Sequence, residues 1–327
     1  MDAPEARGRP TAEEIDRLLL GMPARYTRGE VAAAAGVPAE LSERIWRALG
    51  FASLADDAVV FSDGDVAALR RVRTMLDSGL LDERTVIRMS RALGRTTARL
   101  AQWQAEIMIG AMLPPDEEPS DEDLTRVLDT AGRLLPDFER VLVHVWRAQL
   151  AAAGTRLLTV AESHSEPLPT RVSLAVGFAD LVSFTRRASE LAERELAELV
   201  EGFEARAADA VAAHGARLVK TLGDEVLFTA PTPAQAAAIA VDLMESDELR
   251  IGLAYGPVLP ILGDVFGTTV NLAARLTSIA RPGTIIVDSG MAEDLGDRPE
   301  FEVRRIRRRP ARGLGVVQPH VLRRSPH

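Results

Sequence analysis

The chain has 327 residues, 46% hydrophobic and 27% charged, a length that suits two hydrophobic cores better than one. A formal net charge of −9 argues against a protein devoted to DNA or to an anionic membrane surface. There is no cysteine, which excludes disulfides and thiolate metal centres, so any metal must rest on oxygen or on one of five histidines.

The opening stretch MDAPEARGRP has no apolar signal core, and no apolar run is long enough to span a bilayer, so a cytoplasmic protein is expected. Arg28–Ala34 and Leu41–Leu49 read as two short helices joined at Gly36-Val37-Pro38, with Pro38 at a helix start. Asp57–Phe61 reads as a short hairpin or wing. Asp65–Leu76, Glu83–Met108 and Asp121–Ala151 carry apolar residues at three- and four-residue spacings among good helix formers. The acidic, proline-bearing run Pro114–Asp123 separates the last two as an exposed loop. Within the apolar run Val141–Trp146, His144 is either a switch that burial would make costly to protonate or a satisfied histidine at the core edge.

Ala161–Pro169 is polar and carries two prolines, and the pattern changes after it. The expected division is a helical domain over 1–155, a linker over 156–170 and a second domain over 171–327. There, Val172–Phe178 reads as a buried strand, Glu190–His214 as a long helix, and Arg217–Leu222 with Glu225–Thr229 as a hairpin around Gly223-Asp224. Ala234–Met244 is a helix, Leu249–Ala254 a strand, Val270–Ile279 a helix and Thr284–Val287 a strand. This order makes the second domain α+β and ferredoxin-like, an antiparallel sheet with helices on one face.

Three stretches there carry chemistry: Phe178–Thr185 (FADLVSFT), Leu218–Val226 (LVKTLGDEV) and Gly263–Arg275 (GDVFGTTVNLAAR). Asp180 falls at a strand end and Asp224 at the neighbouring hairpin tip, where paired carboxylates can hold hard divalent cations and phosphate together. Taken singly, either is equally a solvated cap. Small residues follow Asp180 where the chain enters a helix, so backbone N–H groups there can meet phosphate oxygens. Asn271 and Arg275, four apart on one helix face, can meet charge developing at phosphorus, or can be ordinary surface residues.

Together these stretches resemble the catalytic domain of the class III adenylyl and guanylyl cyclases, from about Arg171 to the C-terminus. The family pattern places a metal Asp in an F-x-D-x-x-x-F-T run and a Lys four before a G-D metal Asp. It continues with an Asp seven before an Asn and an Arg four after that Asn, met here by Asp180, Lys220, Asp224, Asp264, Asn271 and Arg275. The resemblance implies that Asp180, Asp224 and the Leu181 carbonyl hold two divalent cations, Mg²⁺ or Mn²⁺. It implies that Phe184 and Thr185 help to bind substrate phosphate, that Asn271 orients the ribose and that Arg275 stabilises the pentavalent phosphorus. Lys220 donates and Asp264 accepts, which fits adenine and therefore ATP. It further implies a homodimer whose sites are shared between chains, with Asp180 and Asp224 from one and Lys220, Asp264, Asn271 and Arg275 from the other. Ser183 stands where many relatives have glycine. A second basic phosphate-binding residue has no unique match among Arg304, Arg305, Arg307, Arg308 and Arg309, which otherwise read as a solvated basic edge.

The first half resembles the helical regulatory domain of acid-sensing actinobacterial adenylyl cyclases. The residues that carry this are Thr27–Val31, Ile45–Phe51, Arg91–Gly94 and Leu100–Trp103. In that group the domain responds to pH and can hold a lipid. Rival readings are a DNA-binding regulator using Arg28–Leu49, a catalytically dead dimerisation module, and a diguanylate cyclase, whose Gly-Gly-Asp-Glu-Phe turn Leu222–Val226 echoes. Glu40 and Glu43 on the would-be recognition helix disfavour phosphate contact, so no nucleic acid partner is expected.

Overall fold

A computed structural model describes residues 9–51, 55–113, 118–162, 172–246, 248–261, 263–311, 313 and 315–325. The chain forms two compact units, residues 1–154 and 155–327. Among the described residues, no helix is long and apolar enough to cross a membrane.

The first unit is helical: α1 (Ala12–Leu20), α2 (Arg28–Ala35), α3 (Ala39–Leu49), α4 (Asp63–Asp77), α5 (Glu83–Met112) and α6 (Asp121–Glu162). Thr27 and Glu30 close a reciprocal cap on α2, while Gly36 ends it in the left-handed conformation and Pro38 leads into α3. Asp57–Phe61 forms no strand, and Phe61 makes only an isolated bridge to Tyr26. The core gathers Val31, Ile45, Trp46, Leu69 and Val86. Gly94 on α5 is needed there, because a Cβ would stand 2.1 Å from the Leu49 carbonyl oxygen. Helix α6 runs through residues 156–162, assigned to the linker by sequence, and 163–171 lie outside the described residues. His144 is exposed on α6, so neither buried reading of it holds in the chain.

The second unit contains β1 (Val172–Leu181), α7 (Phe184–Glu190), α8 (Glu193–Ala213), β2 (Arg217–Thr221), β3 (Glu225–Ala230), α9 (Pro233–Ser246) and β4 (Leu249–Ile261). It continues with β5 (Asp264–Phe266), α10 (Thr268–Ile279), β6 (Thr284–Val287), α11 (Ser289–Leu295), β7 (Phe301–Arg305), β8 (Arg309–Ala311), β9 (Gly315–Val317) and β10 (His320–Arg324). The main sheet runs β2-β3-β1-β4-β6-β10-β7. Its first four strands are antiparallel in the ferredoxin-like order, and β4 pairs with β6 in parallel.

Alternation sorts the strands' side chains onto two buried faces. Ala175, Phe228 and Ile251 pack with Phe203 of α8 and Ile239 of α9. Val176, Leu227 and Ala254 pack with Ala273 and Leu276 of α10. The expectation of helices on one face therefore holds for α8 and α9 but not for α10, which covers the other face. Gly252 permits this, since a Cβ there would stand 2.2 Å from the Thr277 amide nitrogen. The helix expected over Glu190–His214 is interrupted at Leu191-Ala192, giving the short α7 and then α8.

Candidate active site

Two groups of sequence-predicted residues come together in one chain. The first is acidic. Asp180, near the C-terminal end of β1, lies opposite Glu225 of β3 and Arg250 of β4. The turn that carries Asp224 is closed by the Leu222 N–H donating to the Glu225 carbonyl at 2.7 Å, with Gly223 at φ 73° in the position that forbids most side chains. The Leu181 N–H then donates to the Asp224 carbonyl at 2.9 Å, which ties the hairpin tip to the end of β1.

Burial, and then the charge of Asp224, push the Asp180 carboxyl above its usual range against the opposing pull of Arg250. Burial, Asp180 and Asp224 together raise Glu225 to about 7. Carboxylates pressed together at a strand end and reluctant to ionise suit a hard divalent cation, which relieves their repulsion. Among the described residues, no three His, Cys, Asp or Glu side chains form a closed metal cage. Two carboxylates, a main-chain carbonyl and substrate oxygens make an open set of the required chemistry.

The second group is centred on an ion pair. A bulge in β2 sets both Val219 and Lys220 against Leu227, because Leu218 pairs with Phe228 and Lys220 with Leu227. It turns Lys220 onto the α10 side of the sheet, where its Nζ donates to Asp264 at 2.6 Å. Burial opposes ionisation of Asp264, but the Lys220 hydrogen bond, the Val265 N–H and the charges of Lys220 and Arg217 hold its carboxyl below the usual range. Arg217 also donates to the Gly263 carbonyl, so β2 grips the β4–β5 hairpin at two points. Asn271 and Arg275 are exposed on one face of α10, with no side-chain partner among the described residues.

Between β1 and α7 the chain turns at Ser183, the only non-glycine described residue with positive φ, at 60°. A glycine adopts this conformation freely, whereas serine bears strain of about 1 kcal/mol there. The Phe184 ring packs on the α8–α9 core, so only its backbone is free to meet phosphate. Thr185 lies in the first turn of α7, and its side chain is outside the described set.

Sequence reasoning passed over Glu225 and Arg250. Arg250 lies beside Asp180, and its Nε is buried with no hydrogen-bond partner among the described residues. Its signal in sequence was a lone arginine in an otherwise apolar strand, LRIGLA.

Residues 14–152 match the adenylate cyclase regulatory domain, and residues 169–324 match the adenylate and guanylate cyclase catalytic domain. An adenylate cyclase of Streptomyces coelicolor is 43% identical over 351 residues, covering 96% of this chain and 90% of that protein. An adenylate cyclase of Streptomyces griseus is 42% identical over 362 residues, covering 96% and 89% respectively. A pH-sensitive adenylate cyclase of Mycobacterium tuberculosis is 30% identical over 302 residues, covering 88% of this chain and 74% of its own length.

Proposed function

This chain belongs to the adenylate cyclases in which a helical regulatory domain precedes a class III catalytic domain, and we propose that it converts ATP to 3′,5′-cyclic AMP and pyrophosphate at two sites, each completed by two copies of the chain. The observation that carries this reading is the Lys220–Asp264 pair at 2.6 Å. The ammonium keeps donors, and the carboxylate keeps lone pairs, beyond those they spend on each other. They meet the adenine N1 acceptor and 6-amino donor, whereas guanine presents the reverse polarity and would leave both groups mismatched.

Asp180, Asp224 and the Leu181 carbonyl would hold two divalent cations, Mg²⁺ or Mn²⁺. When bound, these acidify the ribose 3′-hydroxyl and neutralise the triphosphate and departing pyrophosphate. Arg250 adds a fixed positive charge beside Asp180, and the backbone of Phe184 and Thr185 offers N–H groups to phosphate. Asn271 orients the ribose so that its 3′-oxygen lies in line with the α-phosphorus. As that oxygen loses its proton and bonds to phosphorus, the bond to the bridging oxygen breaks and pyrophosphate leaves. Arg275 meets the charge on the five-coordinate phosphorus, so positioning and charge stabilisation supply the catalysis.

Lys220 and Asp224 sit four residues apart, on and just beyond one arm of a hairpin, too close to serve the base and the phosphates of one nucleotide. A head-to-tail homodimer resolves this, because each hairpin then serves both sites. Helix α6 supports pairing with a second copy. Its Leu134, Phe138, Val141 and Val145, at spacings of four, three and four, are 52%, 38%, 55% and 47% exposed, an apolar seam suited to a like helix. Residues 1–155 would bias that pairing with pH or a bound lipid, in the cytoplasm where ATP is made available.

Inactive Asp180→Ala and Arg275→Ala chains, when mixed, should form dimers with one doubly damaged and one intact site. Activity should return to about a quarter of wild type if chains pair at random. Demonstrated chain exchange without recovered activity overturns the shared site. Faster turnover of GTP than ATP by the wild type overturns the assignment of the base.

A further inference from the structure

Arg217 stands one residue before the second motif stretch, yet it reaches the same hairpin as Lys220. The two residues are three apart, and in a regular strand that spacing sends side chains to opposite faces of the sheet. The bulge cancels this. Arg217 pairs with Thr229 and Lys220 with Leu227, and these partners are two apart on β3, so both side chains leave from one face. From there the Lys220 ammonium donates to Asp264 at 2.6 Å. The Arg217 Nη2 donates to the carbonyl of Gly263, the residue before that aspartate.

Gly263 sits at φ 82°, in the left-handed region, and with no Cβ it is the freest joint in the chain leading to Asp264. Its carbonyl belongs to the planar peptide group whose nitrogen is that of Asp264. A charge-assisted hydrogen bond to this carbonyl therefore fixes the plane from which the Asp264 side chain springs. Little else restrains the carboxylate. The Val265 N–H takes one oxygen at 2.8 Å. Lys220 takes the other, but the two side chains are 34% and 27% exposed, and an ion pair so open to water holds its geometry weakly. Burial opposes ionisation of Asp264, and Arg217 is a second positive charge, after Lys220, that favours it.

We propose that Arg217 is a positioning residue for base specificity, acting through the Gly263 carbonyl to aim the Asp264 carboxylate at the 6-amino group of adenine. The inference rests on Lys220 and Asp264 being the base-reading pair. A carboxylate free to swing can turn away from the guanine carbonyl, so loss of Arg217 lowers the penalty against GTP as well as the affinity for ATP.

The test uses the full chain carrying Arg217→Met, which keeps an unbranched stem and loses the charge and the donors. The ratio of kcat/KM for ATP to that for GTP should fall about tenfold, with KM for ATP rising more than kcat falls. Asp264→Asn should lower the same ratio. The Arg217→Met, Asp264→Asn double variant should be no worse than Asp264→Asn alone, because one residue acts through the other. Arg217→Lys, which keeps a charged donor, should recover most of the ratio. A residue that merely holds the fold would lower kcat for both nucleotides alike and leave the ratio where it was. If Arg217→Met misfolds by circular dichroism, Arg217→Gln replaces it. An unchanged ratio in a folded Arg217 variant, or losses that multiply in the double variant, overturns the proposal and leaves the base-reading pair standing. An unchanged ratio in Asp264→Asn overturns that pair, and the proposal with it.

Discussion

The two units of this chain solve the burial problem differently. In the second unit, both faces of the sheet are covered from within, so Phe203, Phe228, Ile251 and Leu276 are fully buried in a single copy. In the first, the core is confined to α2, α3, α4 and the start of α5, while α6 leaves an apolar seam in solvent. Both read as ordinary amphipathic patterns in sequence. The lesson is that periodicity says which face must be covered but not what covers it.

The buried core of the second unit is the more sensitive of the two to a single truncation. Phe228→Ala should destabilise the second unit by about 3–5 kcal/mol, through lost transfer energy and a cavity. Val141→Ala with Val145→Ala should change the stability of the isolated chain by less than about 0.5 kcal/mol. It should nevertheless weaken dimerisation, because only pairing would bury those side chains. Urea denaturation at low protein concentration and sedimentation equilibrium read the two quantities separately. Undiminished dimer affinity in the α6 variant would mean that the seam faces something other than a second copy.

Glu225, raised from its ordinary 4.5 to about 7, holds a proton in the folded state that the unfolded chain has already released. Between those values the native state binds more protons, so the stability of the metal-free protein should fall as pH rises from about 4.5 to about 7. Asp180, also raised, acts in the same direction. Asp264, held below its ordinary 3.8, contributes stability that is lost only as pH falls below that value, outside this window. Thermal melts of Glu225→Gln in EDTA should show a flatter slope than wild type. An unchanged slope would mean that Glu225 titrates normally.

The smallest expected effect tests the strained turn. Ser183→Gly should stabilise the protein slightly, by less than about 1 kcal/mol, since relief of the left-handed strain is partly offset by a more flexible unfolded chain. A clear loss of stability would show that the serine side chain supports the turn.

Sequence spacing brought out the three motif stretches and the βαββαβ order, because both are local, while the expected roles of the motif residues came from the family resemblance. Spacing along a helix or hairpin determines which residues neighbour one another before any long-range packing occurs. Thus Asn271 and Arg275 were legible as one helix face, and Gly223-Asp224 as a turn. Other features depended on contacts between distant segments. The bulge at Val219-Lys220 decides which face Lys220 occupies, and a one-residue irregularity leaves no mark in an apolar-rich strand. Arg250 became visible only when the register of β1 with β4 placed it beside Asp180. Local chemistry, in short, is written in neighbouring residues, while the pairing of strands that brings remote charges together is settled by the folded sheet.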